Sequence, residues 1–407
     1  MPTVGRLVGL DVARCLALLG MVAAHVLDDR GPDGALTLTS QLVDGRASVL
    51  FAVLAGVSMA LMSGRTTPLT GRPLRRVTAQ LAVRALLIAL LGLALGELET
   101  GLAVILTYYG VLFLMGLPFL GLRARPLFVL AGAWVVVGPV VSQLVRPHLP
   151  DRQFASPAFD QLEHPGRLLS ELLFTGYYPG VPWLAFLLLG LALGRVDLGS
   201  RVVASRLVIT GLAVAVVAFV VSRSFTEQPW VLRRLVPDAA SYGDVSTGDA
   251  FVDAISAGMH GTTPTGGSWA WLLVVAPHSG TPFDLLQSGA SAAAVIGLCL
   301  ALVSLLGRRS RRAVAIVFGA GTMTLSLYSL HVVTRTERFW PAEEPSSFGW
   351  HVLVLMGIGA VFVARRWRGP LEAVVGSVSA SATRWLDRYP SPSAPPPTPS
   401  GRTRPRR

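Results

Sequence analysis

Residues 7–27 read LVGLDVARCLALLGMVAAHVL. A run of about 20 apolar residues is long enough to cross the hydrocarbon core of a bilayer as a helix. Three ionisable residues interrupt this one: Asp11, Arg14 and His25. Such groups are costly inside a membrane, so they face a protein interior and mark a functional site. Asp11 and Arg14 stand three residues apart, on one helical face and close enough to pair. His25 lies roughly 16 Å further along the axis than Arg14, at about 1.5 Å per residue. The run is longer than a signal-peptide core and is broken by charge, so it reads as a retained first helix.

The rest of the chain fits that start. Of its 407 residues 52% are hydrophobic and 14% charged, against roughly 25% charged in soluble domains. The mean hydropathy is +0.57. Apolar runs fall near 7–27, 45–62, 77–97, 102–122, 126–145, 180–194, 207–222, 285–307, 314–333 and 349–366. The chain is therefore expected to be all-α, a polytopic integral membrane protein with about ten transmembrane helices. They form one domain over 1–388. The tail 389–407, YPSPSAPPPTPSGRTRPRR, is Pro-rich and basic and is expected to be disordered. Cys15 and Cys299 both lie inside runs, which indicates small packing residues and no disulfide framework.

The net charge is +12, carried by arginine with no lysine. In a soluble protein that would suggest nucleic acid. Here the arginines cluster in short loops, the positive-inside pattern, and nucleic-acid binding is excluded as a function class. One set of loops holds Arg65, Arg72, Arg75 and Arg76, then Arg123 and Arg125, then Arg195, Arg201 and Arg206, then Arg308, Arg309, Arg311 and Arg312. The alternate loops carry acids such as Asp28, Asp29, Glu97 and Glu99. The first set is then cytoplasmic, both termini are cytoplasmic, and His25 lies at the outer side. Two outer loops, 146–179 and 223–284, are long enough to be binding or lid segments, or plain connections.

Further polar residues gather at the level of His25. His278 lies in PHSGTPFDLLQSG, Asp284 follows six residues later, and His331 ends GTMTLSLYSLH. Imidazole is the usual general base near neutral pH, and a carboxylate can orient it. These residues have no compact ligand spacing such as HExxH, so no metal is expected. Arg14 and Arg84 sit at similar depths below the cytoplasmic face, where guanidinium suits a phosphate or other anion; the plainer reading pairs one with Asp11 and lets the other snorkel. Tyr108, Tyr109, Tyr177, Tyr178 and Trp183 read as an interfacial aromatic belt, and Gly190 and Gly194 as close helix packing. No GxSxG elbow, P-loop or GxGxxG opening a helix after a strand is present, which argues against a serine hydrolase and an ATP-driven pump.

RLVGLDVARCLALLGMVAAH, residues 6–25, resembles the opening of the heparan-alpha-glucosaminide N-acetyltransferase-like family of transmembrane acyltransferases, whose pattern is R-x-x-x-L-D-x-x-R-G-x-A-x-x-G-M-x-x-x-H. LFAVLAGVSMAL, TYYGVLFLMGLPFL, YYPGVPWLAFLLLGLALGR, PHSGTPFDLLQSG, LSLYSLHVV and RWRGPLE resemble later segments of its bacterial members, over most of residues 6–372. Cys15 departs from the glycine usual after the Arg. The resemblance implies a multi-pass acyltransferase of the cell (plasma) membrane. It would move an acetyl or other acyl group from cytoplasmic acyl-CoA to a sugar amine or hydroxyl, or another small acceptor, at the outer face. It also implies that His25 is the catalytic histidine and that Asp11 and Arg14 are the first-span motif. On that view Arg14 and Arg84 hold the phosphates of CoA, with Asp11 beside them. His25 deprotonates the acceptor or carries the acyl group, while His278, Asp284 and His331 orient His25 or bind the acceptor. A homodimer is compatible with the sequence. The alternatives are a proton-coupled transporter or lipid-linked flippase using the same residues as a relay, and a non-catalytic membrane subunit.

Overall fold

The computed structural model describes residues 7–98, 100–153, 155–239, 248–336 and 344–384. The tail 389–407, the boundary at 388 and Glu99 lie outside them. The described helices, in chain order, are α1 (Val8–Val26), α2 (Leu38–Val43), α3 (Arg46–Met62), α4 (Gly71–Gly96), α5 (Leu106–Gly116), α6 (Ala124–Val145), α7 (Pro165–Ser170), α8 (Gly180–Gly194), α9 (Arg201–Thr226), α10 (Pro229–Leu235), α11 (Gly248–Ser256), α12 (Pro282–Leu305), α13 (Arg308–Val317), α14 (Thr324–Thr334), α15 (Phe348–Ala364) and α16 (Pro370–Ala382). Among the described residues there is no β-strand beyond one isolated bridge, Arg30 to Leu36. The fold is all-α and polytopic.

Among the described residues seven helices are long and apolar enough to cross a membrane, and an eighth span is gained if the segments 165–175 and 180–194, bent by 56°, count as one. The apolar windows of α1 and of the span formed by α2 and α3 are 61% buried and nearly all of α8 is buried, whereas α9 is 17% buried and turns its apolar side chains outward. Two of the ten apolar runs are not continuous spans. The run 102–122 gives only α5 and a 3-10 turn at Leu117–Phe119, with Pro118 inside the turn. The run 314–333 divides at a 3-10 turn, Gly319–Thr322, into α13 and α14. Hydropathy averages over that break because GAGT is short and uncharged.

Small residues allow a close contact between α3 and α8. α3 crosses α8 at Gly56 and Gly190, and a Cβ on Gly190 would fall onto the Val53 carbonyl; one on Gly194 would fall onto Ala60. The packing role expected of these glycines is what the bundle uses. Gly190→Leu is expected to destabilise the protein by about 3 kcal/mol or more through overpacking. Gly132→Leu, where a Cβ meets no atom within 4 Å, should leave the thermal unfolding midpoint in detergent nearly unchanged.

The described residues of the second long loop form a packed lobe. Val231, Leu235, Phe251, Trp271 and Val274 form a small core of their own. Asp238 fixes it by accepting from the Ser268 N–H at 2.8 Å and the Trp271 indole at 3.1 Å. The lobe then hands the chain to α12 through a capped turn: Thr281 Oγ1 accepts from the Asp284 N–H at 3.1 Å, with Pro282 at the first helical position.

Candidate functional site

α1 carries polar groups into two cavities. Toward its N-terminus Arg14 lines a cavity of about 420 Å³, together with Arg84 from α4, Tyr109 from α5, Tyr328 from α14 and Glu372 from α16. Arg14 bonds Asp11 at 3.0 Å and the Ser58 hydroxyl at 2.9 Å. The expected Asp11–Arg14 pair is present, and both arginines reach one space. Glu372 was singled out by no sequence argument. Its carboxylate accepts from the Leu325 and Ser326 N–H groups at 2.8 and 3.2 Å and from the Ser326 hydroxyl at 2.5 Å, so it caps the start of α14 and faces Arg84 electrostatically. The RWRGPLE segment marked its position without indicating that use.

Toward the other end of α1, His25 and His278 line a second cavity of about 180 Å³. His25 Nδ1 lies 3.1 Å from His331 Nε2, with the rings parallel and 5.3 Å apart. His351 packs edge-on to His331 at 5.5 Å, and Arg335 donates to the His25 carbonyl at 2.7 Å. His331 is buried behind His25, away from the wall of either cavity. His25 and His331 therefore meet directly, and His25 and His278 share a space.

His278 is held differently. Its backbone is left-handed, φ 57°, a conformation more tolerable for His than for bulky residues. Tyr177, Tyr178 and Trp183 surround its ring at 4.7, 5.5 and 6.2 Å. The Met259 N–H donates to the Pro277 carbonyl and the Gly261 N–H to the His278 carbonyl, at 2.7 and 2.9 Å, so the lobe grips both sides of the residue. Burial, helped by the charges of His260 and Arg152, pushes His278 down to about 3. The unfolded chain takes up that proton near pH 6.5. The folded state therefore keeps its full stability above about 6.5 and loses it as pH falls toward 3, by up to about 1.4 kcal/mol per pH unit. His278→Phe is expected to flatten the fall of the unfolding midpoint between pH 6.5 and 4.5.

Asp284 lines neither cavity. Its carboxylate accepts from the Gly280 N–H and the Ser288 hydroxyl, both at 3.0 Å. It holds the turn next to His278 rather than touching an imidazole. The aromatic residues depart from the expected belt: Tyr108, Tyr109, Tyr178 and Trp183 are buried, packed around His278 and between helices. Asp29, Asp44 and His260 join the second cavity, and none carried a site signal in sequence because loops fold them in. Burial and the neighbouring Asp28 raise the Asp29 carboxyl. No group of three metal-ligating side chains occurs among the described residues.

Residues 6–226, a little over half of the chain, match the family model described as heparan-alpha-glucosaminide N-acetyltransferase, catalytic. The match takes in Asp11, Arg14, His25 and Arg84, while His278, Asp284 and His331 lie beyond it. No curated protein matches the chain.

Proposed function

The chain belongs to the heparan-alpha-glucosaminide N-acetyltransferase catalytic family of membrane acetyltransferases, and on that premise we propose that it takes an acetyl or other short acyl group from acyl-CoA and passes it to an amine or hydroxyl, such as that of a sugar. The Arg14 end of the bundle faces the cytoplasm of the cell membrane, as do both termini, and the His25 end faces outward. The observation that carries the reading is the His25–His331 contact at the wall of a cavity.

The chemistry follows from that contact. When His25 Nδ1–H donates to His331 Nε2, His25 Nε2 keeps its lone pair and can act as a base. The acceptor's N–H or O–H attacks the thioester carbonyl carbon. A C–N or C–O bond forms, the C–S bond breaks, and the proton passes to His25 Nε2 and then to the departing CoA thiolate. Arg14 and Arg84 hold the phosphates of CoA in the larger cavity. His278, fixed by the turn that Asp284 braces, lines the opposite side of the acceptor space with Tyr177 and Tyr178.

The test is thiol release from acetyl-CoA by purified protein in nanodiscs, with and without a glucosamine acceptor. A transferase liberates CoA thiol. A proton-coupled transporter or flippase using the same histidines as a relay liberates none, and that result would overturn the proposal.

A further inference from the structure

The two cavities are neighbours, and one residue, Met21, lines both. Beside it Tyr109 lines the larger cavity and Ser48 the smaller. The Tyr109 hydroxyl donates to the Ser48 carbonyl at 2.7 Å. The wall between them is thin. Met21 precedes His25 by four residues, one turn of α1 or about 6 Å along its axis. On α3, Phe51 lines the larger cavity and Ser48, three residues earlier, the smaller.

Both helices at this wall are fixed in the bundle. A Cβ on Gly20 of α1 would lie 2.9 Å from the Ala47 side chain of α3, and Met21 and Tyr109 are both buried. Separating α1 from α3 would break core packing, whereas turning a methionine would not. Its unbranched thioether has three rotatable bonds and adapts to irregular space. Tyr109, bonded to Ser48, is the stationary side of the wall and Met21 the movable side.

We propose that Met21 is the partition an acyl thioester crosses to reach His25, and that its side chain sets the acyl length the enzyme accepts. This rests on the proposed donor. At about 180 Å³ the His25 cavity is smaller than the roughly 300–1,000 Å³ of sites that enclose drug-sized ligands. It has room for a short acyl group beside the reacting end of an acceptor. Shortening Met21 joins the cavities and adds space next to His25, where a longer chain can lie.

The experiment uses the full chain in nanodiscs. Thiol release is measured with acetyl-CoA and hexanoyl-CoA, and calorimetry measures binding of the unreactive thioethers S-ethyl-CoA and S-hexyl-CoA. Pocket fit of a few methylenes is worth tenfold or more. Met21→Ala is expected to raise the hexanoyl-to-acetyl ratio of kcat/KM about tenfold, and the S-hexyl-to-S-ethyl affinity ratio in the same direction. Met21→Leu, which conserves volume, should keep wild-type ratios. If the alanine protein fails to fold, Met21→Val carries the same expectation at smaller size. Unchanged ratios in a shortened variant that still turns over acetyl-CoA overturn the proposal. Wild-type protein that binds S-ethyl-CoA but releases no thiol overturns the transferase reading, and the binding ratios still decide on Met21. Failure to bind either thioether overturns both.

Discussion

A His25→Ala protein is expected to lose thiol release from acetyl-CoA by at least about 100-fold, the lower end of what a positioned general base contributes, while still folding and binding acetyl-CoA. Folding should survive because the backbone contact is retained: Arg335 donates to the His25 carbonyl, not to its ring. Binding should survive because His25 lines the smaller cavity and the arginines the larger. The size of the loss separates two chemistries. If His25 only takes the acceptor proton, a residual rate from positioning remains. If it carries the acyl group, the loss is complete, and the wild-type enzyme should show a rapid burst of thiol before steady turnover. His331→Ala should cost less, because His331 touches His25 and lines neither cavity. It should also shift the acid limb of the pH–rate profile, since the bond at Nδ1 sets which nitrogen of His25 is free. Thiol release unchanged by His25→Ala would move the base to His278 across the cavity.

What the sequence made legible follows one rule: local spacing carries over, and contacts made by closure do not. Asp11 and Arg14 pair because three residues is less than one helical turn, and the spacing alone indicated it. Gly190 and Gly194 pack against α3 because small residues in an apolar run have few other uses. The His25–His331 contact spans 306 residues, and spacing along the chain indicated only a shared membrane level for it. Glu372 was hidden because a helix-capping carboxylate far along the chain looks like any surface acid. Tyr178 and Trp183 suggested an interfacial belt because aromatic residues at a span end usually form one; here the lobe of the second long loop closes over them. Asp284 carried a site signal and serves a turn, since Thr-Pro-x-Asp is also the start of a capped helix.

The largest effect on donor affinity is expected when Arg14 and Arg84 are both replaced by glutamine. The larger cavity region holds two guanidinium groups, Arg14 and Arg84, beside two carboxylates, Asp11 and Glu372. Wild-type charge there balances, and an incoming polyphosphate meets two guanidinium groups, Arg14 sharing its donors with Asp11 and Ser58. Removing both guanidinium groups leaves Glu372 as an uncompensated carboxylate in the cavity lining, which repels the same ligand. A charged hydrogen bond contributes about 1.5–3 kcal/mol, so two predict a rise in the acetyl-CoA Kd of about 100-fold or more. Asp11 is buried, and stripping its partner would destabilise α1, so the variant should also carry Asp11→Asn. S-acetylpantetheine, which has the thioester and no phosphate, gives the discriminating measurement. If the arginines hold phosphate, its kcat/KM is the same in wild type and variant while that of acetyl-CoA collapses. An equal loss for both donors would instead mean that the arginines shape the path of the thioester itself, and the phosphates of CoA would have to be held elsewhere on the same face, where Arg72, Arg75 and Arg76 lie at the start of α4.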